Sequence, residues 1–347
     1  VKAYPGPDAL WSWRRDSAVG VVVASAAGDA LGSQYEFGPA LADDHPLEFD
    51  VSRFGHAPGE WTDDTSMAVP ILQALARGDS LNDSDTLARI VTEWREWSLS
   101  AKDVGVQTSA VLRSLPANCT EEQARAAAKA VHERTGRSGG NGSLMRTGPV
   151  ALGYLGDGEE GALADAAGRL AQLTHWEDDN VDACVLWSLA IRHAVRTAEF
   201  DVARGLVWVP AERRDRWAGL IEEALRPSAR PVDFAEKNGW VVRAFQCALS
   251  AVVRASSDPT LGESSVTQAV SLAIRAGGDT DTVAAIAGSL AGAVWGGTQV
   301  PTAWRRRLHG WPGLNANDLA DLALLAANGG RPASDGWPLA ERMPTAQ

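Results

Sequence analysis

The sequence predicts an all-α protein, and three observations carry that expectation. Alanine dominates while alternating β-branched runs are scarce. Apolar residues recur at three- and four-residue spacing, the period of a helix with one buried face. The breaks hold Gly, Pro, Asn or Asp, which end helices and form turns.

Taken in order, the first helix is read from "SAVGVVVASAAGDAL" (17–31). The next, "SMAVPILQALARG" (66–78), contains Pro70, so it is expected to be kinked or to start late. "SDTLARIVTEWREW" (84–97) and "EEQARAAAKAVHER" (121–134) follow, then "GALADAAGRLAQL" (161–173) and "VDACVLWSLAIRHAV" (181–195). The pattern continues in "VVRAFQCALSAVVRA" (241–255), "SVTQAVSLAIRA" (265–276) and "NDLADLALLAA" (317–327). The apolar run "VAAIAGSLAGAVWGG" (283–297) is too short and glycine-rich for a good bilayer span, and reads as a buried helix packed through small residues. No fixed repeat appears, and the weakest connection, around 226–240, has helices of the same character on both sides. A single domain over 1–347 is expected, with its core at about 17–330 and less ordered tails.

Composition narrows the function. The 347 residues are 45% hydrophobic and 22% charged, ordinary for a soluble globular chain. The formal charge of −12 argues against nucleic-acid binding, which rests on clustered Lys and Arg. Cys119, Cys184 and Cys247 are odd in number and far apart, indicating neither a disulfide framework nor a zinc site and favouring the cytoplasm. The N-terminal stretch lacks the layout of a signal peptide, and no membrane association is expected.

Two acidic stretches carry the chemistry. "PGEWTDDTSMAV" (58–69) sets Asp63 and Asp64 between Thr62 and Thr65 at a helix start, and "RAGGDTDTVAAIAG" (275–288) sets Asp279 and Asp281 among threonines. Either alone could be a helix cap or an Asx-turn, but a cap needs one acid, and adjacent carboxylates repel. Together they form an oxygen-only set suited to two hard divalent cations, Mg²⁺ or Mn²⁺, provided the clusters meet in space. In "GDALGSQYEF" (28–37), Glu36 follows an apolar helix on a loop, and Asp29 reads equally as a structural acceptor or a ligand.

"GRSGGNGSLMRTGPV" (136–150) gathers glycines around Asn141 before a helix expected near Leu144. Its amides could form an anion nest for a diphosphate, or the segment is simply a turn. Arg146 is read either as a phosphate partner or as a buried ion pair fixing the loop. His175 closes a helix, where His⁺ is favourable, and His193 reads as packing or surface. No His pair has zinc spacing. Most of the 14 tryptophans are expected in the core, while Trp240 stands after a glycine where it could stack on a flat ring.

"GDALGSQYE", "WTDDT", "KDVGVQT", "GGNGSLMR", "TH" and "GGDTDTVAAIAGSLAGA" occur in the order and approximate spacing of the ADP-ribosyl-glycohydrolase family. The resemblance spans residues 17 to about 297. It implies a single all-α orthogonal helical bundle with a central metal-lined cleft and a dinuclear Mg²⁺ or Mn²⁺ centre. Thr62, Asp63, Asp64, Asp279, Asp281 and Thr282 resemble the metal ligands, and Glu36 a loop glutamate at or near the metals. Ser138, Gly139, Gly140, Asn141, Gly142 and Ser143 look like the diphosphate loop, and His175 like a contact to ADP-ribose. Gly239, Trp240 and Val241 are similar to the part along the adenine, and Asp103 to a pocket-lining acid. Val283 departs from the Asn of many members without touching the metals, whereas Gly139 departs from the aromatic of serine-linkage relatives, and this second departure leaves the acceptor linkage open.

The resemblance implies a hydrolase cutting the glycosidic bond between ADP-ribose and an acceptor, an Arg or Ser side chain or a small molecule. Glu36 is the candidate base, with Asp64 and Asp281 as alternatives. A two-metal phosphohydrolase and a non-catalytic ADP-ribose-binding module are the competing readings. The expected partner is an ADP-ribosylated protein or an ADP-ribose derivative, and the expected state a monomer.

Overall fold

A computed structural model describes residues 7–257 and 264–333. Its helices run α1 (Pro7–Gly32), α2 (Asp63–Ala76), α3 (Ser84–Ser98), α4 (Val106–Leu112), α5 (Glu121–Thr135), α6 (Glu160–Gln172), α7 (Asp178–Thr197) and α8 (Ala211–Leu225). They continue as α9 (Val241–Ser257), α10 (Ser265–Arg275), α11 (Thr280–Trp295), α12 (Thr302–Arg305) and α13 (Ala316–Ala327). Short strands β1 (His309–Gly310) and β2 (Leu314–Asn315) pair antiparallel, so the described architecture is all-α apart from one small hairpin.

Every apolar-periodic segment lies in a helix, but three helices escaped the sequence reading. In α8 only Trp217, Ile221 and Ala224 are buried, a stripe too narrow to stand out among its charges. The other two, α4 and α12, are short. Pro70 lies inside α2, which starts at Asp63 and so does not start late. No α-helix begins near Leu144; the chain there forms 3-10 turns at Asn141–Ser143 and Gly148–Tyr154. The expected tails lie partly, at 1–6 and 334–347, outside the described residues.

The most extensive packing is between α1 and α11. Small residues at four-residue spacing let the backbones touch. A Cβ added at Gly20 would stand 2.2 Å from the Gly292 carbonyl oxygen, one at Gly288 2.4 Å from that of Ala24, and one at Gly28 2.3 Å from that of Ala284. As the α1 number rises the α11 number falls, so the two helices run antiparallel. The C-terminal end of α1 therefore meets the first turn of α11, where Thr280 Oγ1 donates to Gly32 O at 2.9 Å. Around this pair, α10 and α7 flank α11, α13 bridges α1 and α2, and α8 packs on α9.

Large aromatics also pack in the core. Trp61, Trp94, Trp187 and Trp217 are fully buried, and the last two meet Phe245 edge-on, each with ring centroids 5.2 Å apart. Their indole N–H groups find acceptors, Trp187 at Ser289 Oγ (3.0 Å) and Trp94 at Met67 O (2.8 Å), as buried donors require. Among the described residues, no helix is long and apolar enough to cross a membrane.

Candidate active site

The starts of α2 and α11 are brought together by the end of α1. Asp29, fully buried on α1, accepts from Thr62 N (2.9 Å) and Thr62 Oγ1 (2.8 Å) on one oxygen. Its other oxygen accepts from Thr65 N (3.0 Å) and Thr65 Oγ1 (2.6 Å). Asp29 thus caps α2 from a different helix, satisfying two amides of its first turn. Asp29 has the structural role, and its oxygens also stand in one of the two acidic groups described next.

Two groups of carboxylates converge at this junction. Oxygens of Asp29, Asp64 and Asp281 lie within 4.8 Å of one another, as do those of Glu36, Asp279 and Asp281. Asp281 belongs to both. Asp64 Oδ1 is buried with no hydrogen-bond partner. Thr62 Oγ1 faces Asp29 Oδ1 at 2.8 Å, Asp64 Oδ2 at 3.1 Å and Asp63 Oδ1 at 3.5 Å, yet has one proton to give. Asp63 falls outside both groups, and its Oδ2 accepts from the Gly105 amide at 3.2 Å. Thr282 sits one residue beyond Asp281, its amide bonded to Asp281 Oδ1 at 2.9 Å.

The crowding shows in the electrostatics. Burial first, then Asp29 and Asp63, holds the Asp64 carboxyl well above its ordinary range; burial, then Glu36 and Asp64, does the same for Asp281. Asp63 is pushed up to about 7 by burial and by Asp103. Glu36, on the loop after α1, is pushed up to about 9 by burial and by Asp279. Burial also raises Asp103. None of these acids has a Lys or Arg at ion-pair distance among the described residues. A buried, all-oxygen set with an orphaned acceptor and no counter-charge fits divalent cations.

The glycine loop is tied to this cluster through side-chain amides. Asn141 Nδ2 donates to Asp279 Oδ2 at 2.8 Å and to Asn238 O at 3.0 Å. Asn238 in turn accepts from the Asp279 amide at 2.9 Å and donates to Gly277 O at 2.9 Å. Gly278, at φ 74°, passes so close that an added Cβ would stand 2.4 Å from Asn238 Oδ1. Residues 139–141 pair with 239–241 through Asn141 N to Gly239 O (3.0 Å) and Val241 N to Gly139 O (2.9 Å). The Gly139 and Gly140 amides remain without a partner among the described residues. Ser138 N donates to Glu177 Oε1 at 2.7 Å, and Asn180 Nδ2 reaches Ser143 Oγ at 2.8 Å. Asn238, Asn180 and Glu177 were missed in the sequence, where they read only as turn or helix-start residues.

His175 and Trp240 both lie against the loop, at Gly140 and Gly142 and at Gly139 respectively. The imidazole of His175 is buried and lies against Gly142, where a Cβ would stand 3.0 Å from Cε1. Burial, then Arg146, lowers its pKa to about 3, so it is neutral and the His⁺ reading at a helix end does not hold. Trp240 is 37% exposed beside Gly139. Arg146 forms neither the phosphate contact nor the ion pair: it is buried, stacked 4.0 Å from the Trp94 ring centroid, and donates to Thr174 Oγ1 at 2.6 Å. A cleft of about 560 Å³ is lined by Thr62 and Asp103 together with Trp97, Trp311 and the Glu60–Lys102 pair.

A family model described as ADP-ribosylglycohydrolase matches residues 12–333. The chain is 28% identical over 294 residues to the ADP-ribosylarginine hydrolase Tri1 of Pseudomonas putida, covering 83% of this chain and 73% of that protein. It is 26% identical to the human ADP-ribosylhydrolase ARH3 (84% and 89% covered) and 26% identical to the ADP-ribosyl-dinitrogen reductase glycohydrolase of Rhodospirillum rubrum (84% and 90% covered). A solved structure described as an ADP-ribosylglycohydrolase-related protein complex has the same fold, with a TM-score of 0.64 at 24% identity over 92% of this chain and 100% of the other. With the family model spanning nearly the whole chain, this protein belongs to the ADP-ribosylglycohydrolase family.

Proposed function

We propose that the protein hydrolyses the glycosidic bond between ADP-ribose and an acceptor, releasing ADP-ribose. The observation that carries this is the bond from Asn141 to Asp279, which joins the glycine loop to the acid cluster. A diphosphate on the loop would set the distal ribose over the carboxylates. Two cations, Mg²⁺ or Mn²⁺, would be held by Thr62, Asp63 and Asp64 from one side and Asp279, Asp281 and Thr282 from the other. When bound they supply orientation of the ribose hydroxyls and activation of water.

The chain's own groups do the rest. The free amides of Gly139 and Gly140, within the Ser138–Ser143 loop, bind the diphosphate, and Trp240 lies along the adenine. Glu36, which the charge of bound cations would return to its ionised form, takes the proton of the attacking water, with Asp64 and Asp281 as the alternative bases. The surrounding carboxylates stabilise the positive charge that develops at the ribose. Asp103 pairs with the departing guanidinium when the acceptor is arginine.

The test is ADP-ribose release from matched arginine-linked and serine-linked peptides, with Mg²⁺, Mn²⁺ or chelator. Metal-dependent release from one peptide supports the reading and assigns the linkage; no release with ADP-ribose still bound favours a binding module. Replacing Glu36 by Gln should cut turnover about 10²–10⁴-fold while sparing ADP-ribose binding. Undiminished turnover removes Glu36 from the mechanism.

A further inference from the structure

Arg146 closes the glycine-loop motif, yet its side chain turns away from the loop into the core. The guanidinium lies 4.0 Å from the Trp94 ring centroid and donates through Nη2 to Leu170 O (3.3 Å) and Thr174 Oγ1 (2.6 Å), with Nη1 3.8 Å from Met67 Sδ. No carboxylate stands at ion-pair distance among the described residues. A buried cation held this way asks what its hydrogen bonds set in place.

The answer follows from counting protons. A guanidinium only donates, so Thr174 Oγ1 accepts from Arg146. Thr174 is itself fully buried and has one hydroxyl proton. Its remaining polar neighbour is His175 Nδ1, at 2.8 Å. The hydroxyl therefore donates to Nδ1, and a nitrogen that accepts carries no proton. The neutral ring then holds its proton on Nε2. The opposite tautomer would aim two donors at the same hydroxyl oxygen and strand the hydroxyl proton in the core. Gln107 Nε2, donating to Thr174 O at 2.9 Å, fixes the backbone from which both side chains hang.

Nε2 points toward the glycine loop and has no protein partner among the described residues. An added Cβ would stand 3.5 Å from it at Gly140 and 3.2 Å at Gly142, so the missing side chains leave room above this nitrogen. We infer that Arg146 and Thr174 are positioning residues that lock His175 in the tautomer protonated at Nε2, presenting one neutral N–H to a diphosphate oxygen on the loop. The ligand half of this rests on the ADP-ribose reading; the tautomer half does not. Burial and Arg146 also hold the ring neutral, so the donor is single and uncharged. The chain from Arg146 through Thr174 to His175 is polarised toward an anion, each bond strengthening the next.

The experiment uses the full chain, ¹⁵N-labelled, with long-range ¹H–¹⁵N correlation of the His175 ring. Without ligand, Nδ1 should resonate as an unprotonated acceptor and Nε2 as a protonated nitrogen; a proton on Nδ1 would overturn the relay. Adding ADP-ribose with Mg²⁺ should move the Nε2 proton downfield. Thr174→Val, which keeps the side-chain shape, should weaken ADP-ribose binding about tenfold, the scale of one hydrogen bond, and Thr174→Ser should restore it. Full affinity in Thr174→Val, or no rescue by Thr174→Ser, would overturn the positioning role. If Thr174→Val does not fold, the tautomer of the unaltered protein still decides. If the unaltered protein binds no ADP-ribose, the functional reading falls with the ligand half, while the spectrum still judges the lock.

Discussion

Asp64 Oδ1 is a buried acceptor with nothing to accept from, and Thr62 turns one hydroxyl toward three carboxylates. Removing one acid from such a set does more than subtract a contact. Asp64→Asn should weaken Mn²⁺ binding by more than about a hundredfold, beyond the loss seen for outer-shell partners of metal ligands. Calorimetric titration with Mn²⁺ checks this, and unchanged affinity would sink the assignment of Asp64. Gly142→Ala should weaken ADP-ribose binding by about tenfold, because the new methyl would press on the His175 ring. The acids themselves were legible as Thr62-Asp63-Asp64-Thr65 and Asp279-Thr280-Asp281, since repelling neighbours need a reason. Asn238 was not legible. An asparagine before glycine signals a turn, and its three bonds, one to Asn141 and two to the Gly277–Asp279 segment, exist only once the chain is folded.

At the scale of elements, α2 depends on a cap from α1, and the acids at its start depend on that cap for their position. Asp29→Ala should lower the unfolding free energy by about 3 kcal/mol, since it strands buried amides and hydroxyls. Urea unfolding in chelator measures the loss, and a change below about 0.5 kcal/mol, the scale of surface substitutions, would refute the capping role. Gly32→Ala should both destabilise the fold by about 1–3 kcal/mol and weaken cation binding, because its Cβ would stand 2.5 Å from Asp281 Cα. Loss of stability without loss of metal affinity would show that the α1–α11 spacing does not set the cluster. The helices were legible wherever an apolar face was broad. The narrow stripe of α8 was not, nor were the 3-10 turns after the glycine loop, whose shape is set by neighbours such as Asn180.

For the whole molecule, the buried acids link stability to pH. A carboxyl whose folded pKa stands above its unfolded value binds an extra proton when folded, so stability falls as pH rises between the two. For Glu36 that interval runs from 4.5 to about 9, and for Asp63 from 3.8 to about 7. The histidines His56 and His175, whose pKa burial lowers, act in the opposite sense, but only below about pH 6.5. Between pH 7 and 9 the chelated protein should therefore lose stability while the metal-loaded protein keeps it. The melting-temperature gap between them should widen with pH; a constant gap would sink the link between the acids and the cations. The all-α class and the order of the motifs were legible in the sequence, but the meeting of the two acid clusters was not. Thr280 and Gly32, whose bond marks that meeting, lie 248 positions apart. A ribosome thus finishes α1 and α2 long before α11 exists to close against them. If the acids hold cations as proposed, the half-made site would be unable to gather them during most of synthesis, and metal uptake would become a marker that the last central helix has docked.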